Sequence, residues 1–282
     1  MPATKARPVR DLPLARGRRL VLDRPLVMGI LNATPDSFSD GGALATPQAI
    51  EERIRQLLAD GADILDVGGE STRPGHAVVP ADEEIRRVVP VLQAICRIAP
   101  DAVVSIDTSK AAVAAAAIAA GADFVNDVSA LGDQGMARVV REAECALVLM
   151  RHRPLRGPDL VAAARAQLDA LVVSAVAQGI PESALVVDPG IGFGDPPGGD
   201  VAANLALLRS ARAVSAGRPV LVGASRKRFL GAITAEAVPD RRVGASVAAA
   251  MLGIDGGADL VRVHDVRETV QALRVLREGR RG

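Results

Sequence analysis

The chain has 282 residues, of which 49% are hydrophobic and 24% charged, a balance that is typical of a folded globular protein and excludes a disordered tail or a disulfide scaffold. Its 34 basic and 33 acidic residues give a formal net charge of +1, so no broad charged surface is available to hold a nucleic acid or an anionic membrane. Cys96 and Cys145 lie far apart in apolar runs. With no stretch of about 18 uninterrupted apolar residues, the sequence predicts a cytoplasmic protein without disulfides or a membrane span.

The first 16 residues form a basic stretch that Pro2, Pro8 and Pro13 interrupt. No apolar segment of a secretory signal follows it. We therefore expect residues 1–16 to be a flexible basic arm and residues 17–282 to form one domain. Within that domain, residues 18–23 are expected to form a short strand or hairpin that closes its bottom.

Eight short apolar runs rich in β-branched residues follow, and each is a candidate strand. They cover residues 26–31, 64–67, 103–106, 124–128, 146–150, 185–187, 220–222 and 260–263. Helix-like segments separate them, and the clearest begins with Thr46 as N-cap and Pro47 at the first helical position. A Gly-Ala-Asp triplet leads into an apolar run at residues 61–63, 121–123 and 257–259, which indicates a repeated joint between helix and strand.

Buried, non-alternating strands separated by helices predict a parallel sheet, because parallel neighbours need crossover connections that cover both faces. Eight such units close naturally into a single (β/α)8 TIM barrel of the α/β class, with an open doubly wound sheet as the alternative. Polar residues favour the barrel, since they follow the carboxyl ends of the runs and would meet at one mouth, where active sites of that fold lie. They are Asn32, Asp66 with Glu70, Asp107, Asn126, Asp188, Ser225 with Lys227, and Arg262 with His264.

Some of these residues also have a structural interpretation. Asp107 is placed to be either a functional carboxylate or the N-cap of the next helix. Arg262 and His264 share a strand face, and two cations at a barrel mouth require an anion such as diphosphate. Alternatively, Arg262 pairs with a neighbouring carboxylate and His264 only packs. The three His residues have no ligand spacing with one another or with Cys, which argues against a structural zinc site.

Four glycine-rich or polar segments need a separate interpretation. Residues 188–194 have Gly-x-Gly-x-Gly spacing, which differs from a dinucleotide-binding fingerprint. Residues 223–227 lack the second glycine of a nucleophile elbow. The loops at 32–42 and 68–75 are polar, bounded by Gly and longer than a minimal strand-to-helix connection, so we expect them to close over a ligand.

Seven segments together closely resemble the dihydropteroate synthase family. They are residues 28–42 (MGILNATPDSFSDGG), 70–75 (ESTRPG), 105–108 (SIDT), 126–127 (ND), 188–194 (DPGIGFG), 223–227 (GASRK) and 262–264 (RVH). They follow the order and approximate spacing of that family, and the resemblance spans roughly residues 17–276.

The resemblance implies an enzyme of folate synthesis that joins 4-aminobenzoate to 6-hydroxymethyl-7,8-dihydropterin diphosphate and releases diphosphate with the help of Mg²⁺. It implies catalytic roles for Asp107, Asp188, Lys227 and Arg262, and it makes Asn32 the protein ligand to Mg²⁺. It further implies small-molecule partners, competitive inhibition by sulfonamides and a homodimer. The substrate-binding residues that it implies are Asp36, Phe38, Thr72, Arg73, Pro74, Asp107, Asn126, Met150, Asp188, Phe193, Gly223, Ser225, Lys227, Arg262 and His264.

The chain departs from the family pattern in two places. After Met150 the family commonly has His-Met-Gln-Gly, whereas residues 151–154 are Arg-His-Arg-Pro, which we expect to add positive charge near the mouth or rim. After Gly194 a Lys is usual, but Asp195 and a Pro-Gly-rich insertion follow. Two alternatives to the synthase stay open: a noncatalytic pterin-binding paralogue, and a methyltetrahydrofolate-type methyltransferase, which would not need a diphosphate site at Arg262 and His264.

Overall fold

The computed structural model describes residues 10–33, 46–70, 78–193 and 200–280. An N-terminal hairpin comes first, in which β1 (Asp11–Pro13) pairs antiparallel with β2 (Arg19–Val21). Eight parallel strands follow, and their bounds match the eight predicted runs to within one residue at each end. They are β3 (Leu26–Asn32), β4 (Ile64–Gly68), β5 (Val103–Asp107), β6 (Phe124–Asp127), β7 (Leu147–Met150), β8 (Leu185–Asp188), β9 (Leu221–Val222) and β10 (Leu260–Val263).

The eight parallel strands close into a barrel. From β3 to β7, each strand pairs with the next one along the chain, so this series ends at β8. Strand β10 pairs with both β3 and β9. A parallel bridge between Val187 and Val220 joins β8 to β9, where the Val187 amide donates to the Pro219 carbonyl at 2.9 Å. The hairpin lies at the opposite end from the strand carboxyl ends, because Ala146, just before β7, donates to the Pro13 carbonyl at 2.8 Å. The prediction of a (β/α)8 barrel with a hairpin at its bottom is confirmed.

Helices connect the strands and cover the outside of the barrel. Thr46 caps the first of them as predicted, since its hydroxyl accepts from the Ala49 amide at 3.2 Å, and Pro47 is the first helical residue. The helices are α1 (Pro47–Ala59), α2 (Ala81–Ile98), α3 (Ala111–Ala119), α4 (Met136–Glu142), α5 (Leu160–Ala177), α6 (Val201–Arg209), α7 (Ala211–Val214), α8 (Arg228–Thr234), α9 (Val243–Asp255) and α10 (Val266–Gly279).

Helix α5 is long and apolar enough to cross a membrane by length and composition alone. In this fold, Leu168 and Val172 lie on its buried face, which packs against β7 and β8, whereas Val173 is 68% exposed. The spacing of the buried residues is that of an amphipathic barrel helix. The apolar character of α5 therefore has an explanation within the barrel.

The three Gly-Ala-Asp triplets form the same joint at the bottom of the barrel. Each glycine has a positive φ, between 97° and 119°, which favours glycine and ends the preceding helix. Each aspartate then makes two hydrogen bonds with one residue of a neighbouring chain segment. The aspartate amide donates to the carbonyl of that residue, and the aspartate carboxylate accepts from its amide. The pairs are Asp63 with Val27, Asp123 with Val104, and Asp259 with Val220.

Residues 10–16 differ from the flexible arm expected there. Leu12 and Leu14 are each 1% exposed and belong to the hydrophobic core. Arg16 and Arg18 both donate to the Asp123 carboxylate, at 2.8 and 2.9 Å. The basic residues of this stretch thus neutralise a joint aspartate while the leucines between them are buried, so the packed part of the chain extends back to residue 10.

Candidate active site

The register of the barrel places four residues in one row at the carboxyl ends of adjacent strands. Asn32 of β3 pairs with Gly68 of β4, Gly68 with Asp107 of β5, and Asp107 with Asn126 of β6. Because all strands of a parallel barrel run the same way, this row lies at the mouth. Three of the residues predicted for the site are therefore brought side by side.

Arg262 of β10 reaches across the mouth to two carboxylates. Its Nε donates to Asp66 Oδ2 at 2.5 Å and its Nη2 donates to Asp107 Oδ2 at 2.6 Å. Asp66 is fully buried and also accepts hydrogen bonds from the Ser105 hydroxyl and, at 3.4 Å, from the Asn126 amide. The ion-pair alternative for Arg262 is thus present in the structure. Its Nη1 has no hydrogen-bond partner among the described residues, so the same guanidinium keeps donors for an anion.

Asp107 is buried, yet one of its two carboxylate oxygens has no partner. The residue is 6% exposed, and its Oδ1 accepts no hydrogen bond within the described part of the chain. Burial raises the pKa of Asp107 to about 7, with Arg262 opposing the shift and Asp66 adding to it. A buried acceptor of this kind carries a desolvation cost unless a donor reaches it. Asp107 is therefore placed to accept an N–H group of a ligand.

The guanidinium of Arg262 stays charged in this setting. Burial works to lower the pKa of Arg262, but the charges of Asp66 and Asp107 outweigh burial and raise it. The carboxylates of Asp66 and Asp107 share one guanidinium, so the three side chains together carry a net negative charge when both carboxylates are ionised. The arrangement stabilises positive charge that develops near Asp107.

The segment that follows β8 brings a second set of charges to the mouth. Asp188 Oδ1 accepts from the Gly190 amide at 2.7 Å. The Lys227 ammonium donates to the Ile191 carbonyl and lies 4.4 Å from the centre of the Phe193 ring, which is within cation–π range. Asp188, Phe193 and Lys227 therefore lie close together at the mouth.

Gly192 is needed for this approach of Lys227. Its φ is 77°, and a Cβ at this position would lie 2.6 Å from the Lys227 Cδ. The Gly192 amide donates to the Asn204 side chain at 2.7 Å, which holds the segment from the α6 side. Glycine thus allows the backbone to pass close to the lysine side chain.

Both charged groups beside this segment titrate away from their ordinary ranges. Burial lowers the pKa of Lys227 to about 8, against the carboxylates of Asp188 and Asp107 and with help from the charge of Arg262. Burial also raises the pKa of Asp188, while the charge of Lys227 opposes that rise. Such shifts by burial next to a specific charge partner are common in functional sites.

Ser225 and His264 form a polar pair next to Arg262. The Ser225 hydroxyl oxygen lies 3.0 Å from His264 Nδ1 and accepts from the His264 amide at 3.2 Å. Gly223 flanks the pair, and a Cβ there would lie 3.7 Å from the Arg262 Cβ. The predicted anion-binding residues are thus neighbours at the end of β9 and β10.

The remaining predicted binding residues fall into two groups. Met150 ends β7, is 3% exposed and pairs in register with Asp188, so it is placed in the same mouth. The other group lies outside the described residues and comprises Asp36, Phe38, Thr72, Arg73 and Pro74.

The residues around Gly68 fit a magnesium ion that takes most of its ligands from a substrate. A Cβ at Gly68 would lie 3.8 Å from both Asn32 Oδ1 and Asp107 Oδ2, so the glycine leaves a space between two oxygens. No cluster of three or more His, Cys, Asp or Glu residues stands within the described ranges. Mg²⁺ is commonly held by one or two protein oxygens together with phosphate oxygens and water, and this donor set agrees with that pattern.

Asp66 and Arg151 were placed near the mouth by the sequence but were given no role in the site. Asp66 precedes the end of β4 by two residues, and its partner Arg262 is 196 positions away. The signal for Asp66 is an acidic residue inside the apolar run of β4. Of the two positions expected for the charge of Arg151, mouth or rim, the structure favours the mouth, because Arg151 is only 2% exposed and donates from Nε to the Pro189 carbonyl at 2.8 Å.

A partly buried charge cluster borders the site next to β4. Lys110 Nζ lies 2.5 Å from Glu70 Oε2 and 2.6 Å from Glu84 Oε2. Glu70 also accepts from the Val79 amide at 2.8 Å. The cluster therefore fixes residues 70 and 79 relative to each other and to the start of α3.

Comparison with known proteins identifies the family. A family model described as pterin binding enzyme matches residues 28–264, from β3 to just past β10. The dihydropteroate synthase of Bacillus subtilis is 41% identical over 257 residues, which are 90% of this chain and 88% of that protein. The chain belongs to the dihydropteroate synthase family. A probable bifunctional folylpolyglutamate synthase/dihydropteroate synthase of Haloferax volcanii is 44% identical over 262 residues, and the chain spans 30% of the length of that larger relative.

Solved dihydropteroate synthases share the whole barrel. The enzyme of Xanthomonas albilineans with 4-aminobenzoic acid has a TM-score of 0.85 and 45% identity, covering 95% of this chain and 98% of that chain. The enzyme of Yersinia pestis in a sulfonamide drug complex has a TM-score of 0.86 and 38% identity, covering 96% and 100%. The resemblance to dihydropteroate synthases found in the motifs is confirmed.

Proposed function

We propose that this protein condenses 6-hydroxymethyl-7,8-dihydropterin diphosphate with 4-aminobenzoate, giving 7,8-dihydropteroate and diphosphate. The observation that carries the proposal is the buried group at the barrel mouth, in which Arg262 pairs with Asp107 and Lys227 lies against Phe193. A flat heterocycle with several ring donors and acceptors matches the acceptor Asp107, the amide of Asn126 and the charged pair Asp188 and Lys227.

Pterin recognition rests on polar side chains at the mouth, of which Asp107 keeps one carboxylate oxygen without a partner in the described part of the chain. Asp107 Oδ1 accepts from a ring N–H, and Asn126 supplies both a donor and an acceptor. Lys227 donates to a ring carbonyl or nitrogen, and Asp188 accepts on the opposite side. A ligand that lacks these groups would leave buried polar atoms unpaired, which costs more than the loss of a surface contact.

The diphosphate binds at the end of β9 and β10. Arg262 has Nη1 available, and His264 with Ser225 lies next to it. Asn32 would hold a Mg²⁺ ion, which would supply charge stabilisation to the leaving diphosphate. The ion pairs of Arg262 with Asp66 and Asp107 fix the guanidinium before substrate arrives.

The chemistry breaks one C–O bond and forms one C–N bond. The bond between the pterin methylene and the diphosphate breaks first, and its electron pair leaves with the diphosphate, which Arg262 stabilises. Asp107 and Asp188 stabilise the positive charge that develops on the pterin methylene. The neutral arylamine of 4-aminobenzoate then attacks the methylene carbon and gives its proton to solvent, so no strong base is required.

The 4-aminobenzoate site combines described residues with the two loops. Phe193 and Ser225 line the described side, and Phe193 is held by its contact with Lys227. By family resemblance, Thr72, Arg73, Pro74, Asp36 and Phe38 complete the site. Sulfonamides imitate 4-aminobenzoate in shape and charge, so we propose that they compete for this site.

The decisive experiment measures both products with purified protein. Equal amounts of dihydropteroate and diphosphate are expected from the two substrates, with turnover lost on chelation and restored by Mg²⁺. An Asn32→Ala variant should need a higher Mg²⁺ concentration than the wild type to reach the same turnover. Pterin binding without turnover would instead support the noncatalytic paralogue, and methyl transfer from methyltetrahydrofolate would support the methyltransferase.

Two further proposals rest on composition and resemblance. We propose a cytoplasmic homodimer whose partners are small molecules, in line with the free thiols of Cys96 and Cys145 and the balanced charge. Light scattering of the purified chain should give twice the 29.1 kDa chain mass. A single-chain mass at micromolar concentration would contradict the dimer.

A further inference from the structure

Arg151 is a buried arginine in the segment where the chain departs from the family pattern. It follows β7 directly and is 2% exposed. Its guanidinium has no carboxylate partner within 4 Å among the described residues, and instead it donates to backbone carbonyls. A buried charge without a direct counter-ion is rare and costly, so its contacts call for a physical explanation.

Nearly all hydrogen bonds of Arg151 go to the segment that follows β8. Its amide donates to the Asp188 carbonyl at 2.9 Å, and its Nε donates to Pro189 at 2.8 Å. Its Nη2 donates to Gly190 at 3.2 Å and to Phe193 at 3.5 Å. The one remaining bond, from Nη1, goes to the carbonyl of Arg153. One residue therefore fixes four positions of a six-residue segment.

The segment also makes a close backbone contact with Arg151 at Gly190. Gly190 has a φ of 66°, and a Cβ there would lie 1.9 Å from the Arg151 carbonyl oxygen. The backbones of Arg151 and Gly190 are thus in direct contact, and the Arg151 guanidinium lies next to Gly190. On its other side the same segment supplies the Ile191 carbonyl to Lys227 and the ring of Phe193 over which Lys227 lies.

We propose that Arg151 is a positioning residue for the synthase reaction: it holds the 188–193 backbone by its carbonyls, so that Phe193 and Lys227 meet the two substrates. The inference rests on the proposed function. It goes beyond the family pattern, because the family commonly has His at this position, and a His ring cannot donate to this many carbonyls at once.

The charge of Arg151 also acts on the titratable groups of the site. Lys227 faces Asp188, Asp107, Arg262 and Arg151, and the two arginines add to the lowering of the Lys227 pKa. Replacing Arg151 by a neutral residue should therefore raise the Lys227 pKa above about 8. This titration reports whether the charge of Arg151 reaches Lys227, whereas the KM for 4-aminobenzoate and the amide exchange of the segment report its positioning.

The test compares Arg151→Gln, which removes the charge, with Arg151→Lys, which keeps the charge but loses the planar fork. Arg156→Gln is the matched control, because it makes the same charge change on an exposed residue of the same loop. For Arg151→Gln we expect the KM for 4-aminobenzoate to rise by roughly tenfold or more, and the alkaline limb of the pH profile to move upward. Arg151→Lys should keep the alkaline limb at its wild-type pH, and its KM for 4-aminobenzoate should rise less than that of Arg151→Gln.

Hydrogen–deuterium exchange supplies a readout that is independent of turnover. Both Arg151 variants should exchange the amides of Gly190 and Gly192 faster than the wild type, whereas Arg156→Gln should not. Wild-type KM, pH limb and exchange in a folded Arg151→Gln protein would overturn the inference, as would a loss of thermal stability alone. If the wild type makes no dihydropteroate, the proposed function fails, and unchanged exchange would then separately reject the role of Arg151 in holding the segment.

Discussion

At the scale of single residues, the site depends on Asp107 and Lys227, and both side chains titrate close to neutral pH. Burial raises the pKa of Asp107 to about 7 and lowers the pKa of Lys227 to about 8. The proposed roles need Asp107 ionised as an acceptor and Lys227 protonated as a donor. Lowering the pH through 7 protonates the carboxylate, and raising it through 8 removes the ammonium proton, so each change removes one contact.

The first prediction is a narrow bell-shaped profile of kcat/KM for the pterin diphosphate, with limbs near pH 7 and 8. A bell-shaped profile of kcat/KM reports the essential acid and base of the free enzyme. Lys227→Arg should retain reduced activity and lose the alkaline limb, because a guanidinium stays protonated in this range. Steady-state rates between pH 5.5 and 9.5 check this. An alkaline limb that stays in place in Lys227→Arg would assign it to another group.

The position of a residue along its strand decides whether the sequence could predict its place in the site. Asn32, Asp107 and Asp188 each end a parallel strand, so the barrel alone brings them to the mouth. Asp66 lies inside its strand, and its function depends on a partner from β10 that no local pattern specifies. Arg151 has the charge of a rim residue, and only the course of the 188–193 backbone shows that it is buried.

At the scale of elements, the Gly-Ala-Asp joints set the order of helix, turn and strand at the barrel bottom. The triplets were predictable as joints because a glycine ends each helix and an apolar strand follows. Their second function was not, since the carboxylates cap a neighbouring segment that is distant in sequence. Asp123 shows this best, with bonds to the Val104 amide, Arg16 and Arg18.

The second prediction concerns Asp123→Ala. The change leaves the Val104 amide without its carboxylate and two arginines without their partner, so we expect a loss of about 3 kcal/mol in the free energy of unfolding. Because the joint lies at the end of the barrel opposite the mouth, kcat/KM at 25 °C should stay within roughly twofold of the wild type. Denaturant unfolding and steady-state rates check the two parts separately.

Asp101→Ala is the control for that measurement. It removes an exposed carboxylate from the same region that has no side-chain partner among the described residues, so its unfolding midpoint should stay close to that of the wild type. Equal stability of Asp123→Ala and Asp101→Ala would show that the joint carboxylate contributes little. A large fall in kcat/KM for Asp123→Ala would show that the bottom and the mouth are coupled.

At the scale of the whole molecule, the two ends of the barrel have different roles: the mouth carries the site, and the bottom contributes to stability. The mouth carries buried charges that face a substrate, whereas the bottom carries ion pairs that are fully formed within the protein. The hairpin belongs to the second group: Leu12 and Leu14 are buried, and the Ala15 amide donates to the Asp123 carbonyl at 2.8 Å. The sequence did not predict β1, because a three-residue strand carries almost no periodic signal and three prolines mark the stretch as irregular.

The third prediction follows from this closure of the bottom. A chain that begins at Arg10 and a chain that begins at Gly17 differ by the strand β1, the two buried leucines and the pair of Arg16 with Asp123. Removing two buried leucines costs about 2–5 kcal/mol each in core positions, so the shorter chain should unfold at a clearly lower denaturant concentration. Its kcat/KM at a temperature where both chains are folded should be unchanged, because nothing in β1 reaches the mouth. If the two chains unfold at the same midpoint, residues 10–16 act as the flexible arm that their composition suggests, and the burial of Leu12 and Leu14 contributes no net stability.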